Sequence, residues 1–348
     1  MATPLEVATS HQSSRIRLAN DTTQRALGSW RTADLDYLDA SWNVIAPVLV
    51  DQVAEAQITA AKQSVPYIDD SMASFGTTAD DGDIAPEAFS GVMIDGRDIG
   101  PAMFGAVTTT KTLIGSGFAA ARAFEAGAAF LSTIVQSAIA DAGRQADRVA
   151  AVAKNRVAYV RVLSPGACSR CAALAGKASA AHAFERHPHC HCTAMQLPNA
   201  SSPVPKGFFG EGSDYFHSLP TSEQNRIFTN AGAEAIRNGA DLQQVVNARR
   251  GAPLRPGGLV QKRSGLSAPL GYDGHGNPIR VYTTSEGTTI RGAYGRAEFR
   301  RQQELTKGAG DRYRRTTNPR LMPETLAQMA GGDTPKFKRL LTQYGYIT

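Results

Sequence analysis

Along residues 33–63 apolar side chains return every three or four positions, at Leu35, Leu38, Trp42, Ile45, Leu49, Val53 and Ala56. That spacing draws a stripe down one side of a helix and predicts a long amphipathic element with Pro47 as its kink. Residues 65–84, rich in Asp, Ser and Gly, read as a break, and 86–100 as a loop turning at Asp95-Gly96. From 101 to 155 the chain is rich in alanine and, past Pro101, has no proline. Phe118, Phe124, Phe130, Leu131, Ile134, Val135 and Ile139 predict one or two helices here, the second over 119–154 with Gly127 and Gly143 as its weak points.

The pattern changes at 156–163, where Val157, Tyr159 and Arg161 alternate with Ala158, Val160 and Val162. Alternation with β-branched residues predicts a strand, and TAMQLP (193–198) predicts a second, short one. A Pro/Gly linker follows at 201–214. Helical spacing resumes over 221–251, with Thr221 or Ser222 as N-cap, Gly239 as terminator and Asp241 capping a second helix. The stretch from 252 to 319 has little periodicity, and an amphipathic pair at 323–330 and 335–344 closes the chain.

A chain of 348 residues has room for two or three domains at roughly 100–200 residues each. Its 33 Gly and 18 Pro, with only 7% aromatics, point to compact units joined by ordered coil. No run reaches the ~18–20 consecutive apolar residues of a membrane span, and the N-terminus lacks the apolar core of a signal peptide. The expectation is a protein made in the cytosol, with no membrane partner.

The net charge of +6 divides unevenly. Residues 1–254 carry 21 Lys/Arg against 24 Asp/Glu, and residues 255–348 carry 16 against 7. In the basic end, Arg291, Arg296, Arg300, Arg301, Arg312, Arg314 and Arg315 lie where apolar periodicity is weak, so they are expected to face water, protein carboxylates or phosphate. They are the candidate contacts to a partner or to nucleic acid. Weak, sequence-independent DNA binding is expected of them, because no reading helix or aromatic platform accompanies the charge.

The chemistry concentrates in one place. Cys168 and Cys171 form CSRC, and Cys190 and Cys192 lie in HPHCHC, so all four cysteines fall within twenty-five residues. Thiolates are soft donors, and two close pairs separated by 18 residues match the spacing of a structural zinc site. The ligand set stays open between four thiolates and a set in which His187 replaces one cysteine, since a CxC pair has a tight bite. His182 reads as a surface or neighbouring group, and His189 and His191 interleave with Cys190 and Cys192. A closed four-ligand site would brace a fold and leave no position to activate water. A redox CxxC would want a thioredoxin-like setting that is missing here. A zinc deaminase would carry HxE ahead of PCxxC, whereas here CxxC comes first and His182 and Glu185 are spaced HxxE.

The run SPGACSRCAALAGK (164–177) followed by FERHPHCHC (184–192) resembles the head-morphogenesis domain of phage Mu protein F, the MuF family. Cys168, Cys171, Leu174, Gly176, His187, Pro188, Cys190 and Cys192 fall on its C-x-x-C-x-x-L-x-G and HP-x-C-x-C blocks. His189 and His191 stand where that family carries other polar residues. FSGVMIDGRDI (89–99), DAGRQADRVA (141–150), EQNRIFTNAGAEAIRNGADLQQVVNARRG (223–251) and the terminal RLMPETLAQMA and LLTQYGYI are similar to minor capsid proteins of tailed phages of actinobacteria.

The resemblance implies a low-copy structural protein of the phage head, present in several copies near the portal vertex. Its implied partners are the portal protein, the major capsid or scaffold protein and packaged DNA, and its implied places are the virion and, during assembly, the host cytoplasm. The fold class expected is α+β: a helix-rich N-terminal region (1–114), a small zinc-braced α+β MuF-like domain (115–254), and an extended basic C-terminal region (255–348) ending in short helices. Zinc is the expected cofactor, in a structural role. No enzyme is expected, since neither GxSxG nor HExxH occurs. A zinc-containing DNA-binding protein of the packaged head is the alternative, and a capsid maturation protease stands behind both.

Overall fold

The computed structural model describes residues 2–348 other than 157, 165, 179–183, 186–189, 191, 251–271, 274, 278, 280, 303 and 304. The chain divides into two compact units, Met1–Ala167 with Leu174–Gly210, and Cys168–Ala173 with Glu211–Thr348. The broad description is α+β, helix-rich with two small sheets.

The first unit begins with a helix that the apolar pattern does not predict, α1 (Pro4–Trp30). Its start is encoded locally: Thr3 caps the Glu6 amide, Glu6 returns a bond to the Thr3 amide, and Pro4 occupies the first turn. Its buried face consists of Ala8, His11, Gln12, Ala19, Thr22, Thr23, Ala26 and Trp30, so small and polar residues stand where a stripe of large apolar ones would have marked a helix.

The predicted amphipathic helix is α2 (Leu38–Lys62), which runs on through an exposed Pro47 and buries Leu38, Trp42, Leu49, Val53 and Ala56. The expected break at 65–84 is in part a helix, α3 (Ser64–Ser74). Its polar residues do not interrupt it, because Asp69 and Asp70 face solvent and the Ser71 hydroxyl donates back to the Tyr67 carbonyl at 2.7 Å.

Helices α4 (Ile99–Gly115) and α5 (Ala120–Ala153) complete the bundle. They share one core with α1 and α2 in which Trp30 stacks on Phe124 and meets the edge of Trp42. That core contains helices from both sides of residue 114. The glycines expected to weaken α5 are points of close approach. A Cβ at Gly127 would fall 2.2 Å from Thr110 Oγ1, and one at Gly143 would collide with the Arg15 guanidinium.

The predicted strands are β1 (Tyr159–Val162) and β3 (Thr193–Gln196), paired antiparallel with Tyr159 opposite Gln196 and Val162 opposite Thr193. The two-residue β2 (Lys177–Ala178) lies on the other side of β1, giving the order β2-β1-β3. Val160, Val162, Met195 and Leu197 pack with Ala8 of α1 into a second small core.

Two helical stretches, Leu38–Ser74 and Ala120–Ala153, are long and apolar enough on average to cross a bilayer. Both place side chains in the unit's core, and both bury polar groups, among them Gln57, Asp141 and Asp147.

The second unit contains α6 (Ser169–Ala173), α7 (Gly212–Ser218), α8 (Thr221–Phe228), α9 (Asn230–Arg237) and α10 (Leu242–Ala248). The helix predicted over the first part of 221–251 is two helices, because Thr229 adopts φ +67° between α8 and α9. Pro220 holds the N-cap position of α8, and Asp241 caps α10 by accepting from the Gln244 amide, as its sequence position predicts. Farther along come β4 (Thr283–Thr284), α11 (Ala293–Gln302) and β5 (Arg320–Leu321), then the predicted terminal pair α12 (Pro323–Ala330) and α13 (Thr334–Gln343). Strands β4 and β5 pair antiparallel. Phe216, Phe228, Leu326, Phe337, Leu341 and Tyr346 are buried.

Candidate metal centre

Cys171 lies in α6, shortly after β1, and Cys192 immediately precedes β3, with Cys190 two residues earlier. All three are buried, and their Sγ atoms lie within 4.8 Å of one another. Four sulfurs at ~2.3 Å around one tetrahedral ion stand about 3.8 Å apart, so the three present suit such an ion. Both cysteines of the CxC pair join the group, so its short bite excludes neither. Cys168, three residues before Cys171, is half-buried and stands outside the group, with its carbonyl accepting from the Ala172 amide at 3.0 Å. His187, the other candidate ligand, lies outside the described residues, as do His182, His189 and His191.

The donor set fits a soft or borderline cation. Three buried cysteines gathered in one place could hold a metal ion, which would compensate the charge of their thiolate forms. The hydroxyl of buried Ser164 stands 3.8 Å from Cys192 Sγ, placed to donate to a thiolate.

The Cys190–Cys192 segment is fastened to α5. Arg144 Nη1 donates to the Cys190 carbonyl at 2.7 Å, while its Nη2 donates to Asp141 Oδ1 at 2.6 Å. On the strand, Arg161 is buried, donates to the Glu185 carbonyl at 2.8 Å and lies 3.8 Å above the Phe184 ring. One turn beyond Arg144, Asp147 is the hub of a buried network. It accepts from Arg15 Nη2 at 2.9 Å and the Ser64 hydroxyl at 2.7 Å, and pairs with His11 Nε2 at 3.2 Å. Burial works to raise the Asp147 pKa, but the charges of Arg15 and His11 and the bonds from His11 and Ser64 hold it at about 2. The His11 ring, stacked on Tyr67 with centroids 3.6 Å apart, is pushed below the usual imidazole range by burial, which outweighs the pull of Asp147.

These groups were not singled out from the sequence, yet a signal was there. Asp141, Arg144 and Asp147 repeat at three-residue spacing within the apolar stripe of Ala138, Ala142, Ala146 and Ala150, and charge set into a buried stripe marks an internal network.

The seven arginines of the basic region lie at or near the surface of the second unit. Arg291, Arg296, Arg300, Arg301, Arg312 and Arg314 are exposed and Arg315 is half-buried. Several meet groups of their own unit: Arg301 pairs with Glu298, Arg315 with Asp311, and Arg291 donates to the Tyr313 hydroxyl at 2.9 Å. Arg296 donates to the Arg291 carbonyl.

Compared with protein-family models, curated proteins and solved structures, the chain matches none.

Proposed function

We propose that this chain is a minor structural protein of a tailed-phage head, of the MuF-like head-morphogenesis kind, in which thiolate-bound zinc braces the strands and loops between residues 156 and 200. The convergence of buried Cys171, Cys190 and Cys192 carries the reading, because it gathers sulfurs from both blocks of the cysteine pattern at distances suited to one ion. Cys168 and His187 are the candidates for the fourth position. When bound, the metal supplies a cross-link between the two cysteine blocks, and its removal unfolds that segment. The role is architectural, and its partners are the portal protein and the major capsid or scaffold protein, within the virion.

A second reading has one observation in its favour. The exposed Arg296, Arg300, Arg312 and Arg314 offer guanidinium groups that suit phosphate, as in a DNA-binding protein of the packaged head.

The test is to co-produce the chain with portal, scaffold and major capsid proteins of one phage and to assay purified heads for the chain and for zinc. Wild-type protein is expected in the heads with one zinc per chain, and Cys171→Ser is expected to lose both. Metal-free wild type removes the brace. Heads without the chain, together with duplex DNA binding that survives physiological salt and vanishes on truncation after Gly258, replace the first reading with the second.

A further inference from the structure

Cys190 and Cys192 lie outside regular structure, just ahead of β3, which begins at Thr193. Two cysteines spaced CxC have little local means to fix where their sulfurs point, so contacts from elsewhere in the fold bear on how they are held. Besides Ser164, which lies beside Cys192, a group from α5 reaches Cys190, and it belongs to the DAGRQADRVA stretch, whose charged residues the proposed function leaves unused.

Arg144 is the link. Its side chain is largely buried and makes two charge-assisted contacts at opposite ends of one guanidinium, to the Asp141 carboxylate and to the Cys190 carbonyl. Asp141 is itself buried and sits one turn earlier on the same helix, so it fixes the guanidinium plane. The planar fork then holds the Cys190 peptide at a set distance from a rigid 34-residue helix. Arg144 also lines a small cavity of about 20 Å³ together with Cys192, Thr193 and Asp147, so it adjoins both cysteines of the CxC pair.

We infer that Arg144, oriented by Asp141, is a positioning residue for metal binding: it holds the Cys190 backbone in the conformation that aims the Cys190 and Cys192 thiolates at a shared ion. The inference rests on the metal-brace reading. Its cation also offsets part of the negative charge that gathered thiolates bring to the site. Partners outside the ligand shell of this kind are commonly worth 10–100-fold in metal affinity.

The experiment titrates the full-length, metal-stripped protein with Co²⁺ under reducing conditions. It follows the sulfur-to-cobalt charge-transfer and d–d bands, and measures Zn²⁺ affinity by competition. Wild type is expected to give the intense d–d spectrum of a tetrahedral thiolate site. Arg144→Ala is expected to bind 10–100-fold more weakly, with weakened or shifted d–d bands, because the geometry and not only the affinity depends on the anchor. Arg144→Lys, which keeps the charge and one donor, is expected to fall between the two, and Asp141→Asn to follow Arg144→Ala in the same direction with a smaller loss. Lys111→Ala, which removes an exposed ion pair with Asp39, is expected to match wild type in both readouts.

Wild type that binds no cobalt or zinc overturns the metal reading and this inference with it. Wild type that binds while Arg144→Ala and Asp141→Asn bind within twofold, with unchanged bands, leaves the metal reading standing and overturns the role of Arg144. Should Arg144→Ala fail to fold without metal, Arg144→Lys and Asp141→Asn decide the matter on the same criteria.

Discussion

Each unit buries charged side chains, and one in each is satisfied in a way opposite to the other. In the first unit the charge is Asp147, surrounded by side chains from distant parts of the sequence: Arg15 and His11 of α1 and Ser64 of α3. In the second it is Arg320, only 1% exposed, and three of its four hydrogen-bond acceptors are backbone carbonyls. Its Nε donates to the Tyr344 carbonyl at 2.8 Å, Nη1 to the Glu286 carbonyl at 3.1 Å, and Nη2 to the Gly345 carbonyl at 3.0 Å and to Gln244 Oε1 at 3.1 Å. The Tyr346 ring covers the guanidinium at 4.1 Å. Burial lowers the pKa of this arginine, with Tyr346, Tyr294 and Glu286 opposing.

The difference follows from the elements available. Where long helices pack side by side, their backbones are already satisfied and a buried ion must find side-chain partners. Where short helices and strands end, as at Tyr344 and Gly345 after α13, carbonyls left without partners in those elements gather around one cation and are satisfied by it. An arginine in a low-periodicity, basic stretch can therefore be the centre of a core, a role that the sequence did not signal for Arg320 and that the seven arginines singled out there do not share.

The largest effect should come from the second of these hubs. Arg320→Met keeps much of the volume and strips the donor from four acceptors in or at the edge of the core, at an expected cost of ~3–5 kcal/mol. Denaturant unfolding followed by a probe in the second unit measures it. A loss under 1 kcal/mol would mean that these carbonyls find water or other donors, and the contrast between the two units would fail.

Asp147 should respond less, and its response depends on pH. Asp147→Asn removes a carboxylate from the buried Arg15 guanidinium and from the His11 ring, at an expected cost of ~3 kcal/mol near neutrality. In the wild type the folded pKa of about 2 lies below the ordinary 3.8, so the unfolded chain takes up this proton first. The resulting stability, about 2 kcal/mol, is present above pH 3.8 and is lost as pH falls toward 2. His11 adds to the same slope at higher pH. Its folded pKa is lowered, so protonation of the unfolded chain begins to favour unfolding as pH drops through 6.5. Stability against pH for wild type and Asp147→Asn checks both, and parallel acid limbs would show that Asp147 is not the group responsible.

How far the sequence discloses this molecule follows the same division. Helix α2, the strands β1 and β3 and the closing pair α12 and α13 were legible because large apolar residues mark their buried faces. Helix α1 escaped because alanine, threonine and glutamine make up most of its inward side. Helix α3 was hidden by serines and aspartates that either face water or bond to their own turn. At the candidate centre, the clustering of cysteines was plain from spacing, and three of them do come together. What spacing could not convey was the set of contacts from α5, since nothing local relates Arg144 to Cys190 across 46 residues.

The smallest effect turns on α5, where local and tertiary reasoning disagree in sign. By helix propensity alone, Gly127→Ala in the middle of α5 should stabilise by up to ~1 kcal/mol. The packing says otherwise: the new Cβ would lie 2.2 Å from Thr110 Oγ1, 2.9 Å from the Ala106 carbonyl and 2.9 Å from Trp30 Cζ2. One of these atoms is helix backbone, so α5 must draw away from α4 and loosen the contacts around Trp30, an overpacking cost of ~1–3 kcal/mol that exceeds the gain. A net loss of ~1–2 kcal/mol is expected. Gly28 is the control, because it sits in the last turn of α1 with no atom within 4 Å of its Cβ position. Gly28→Ala therefore keeps only the propensity term and should gain up to ~1 kcal/mol. Thermal and denaturant unfolding of the two variants should move in opposite directions. Stabilisation of both would mean that α4 and α5 are not in close contact at Gly127, and the close-packed core assigned to the first unit would have to be redrawn.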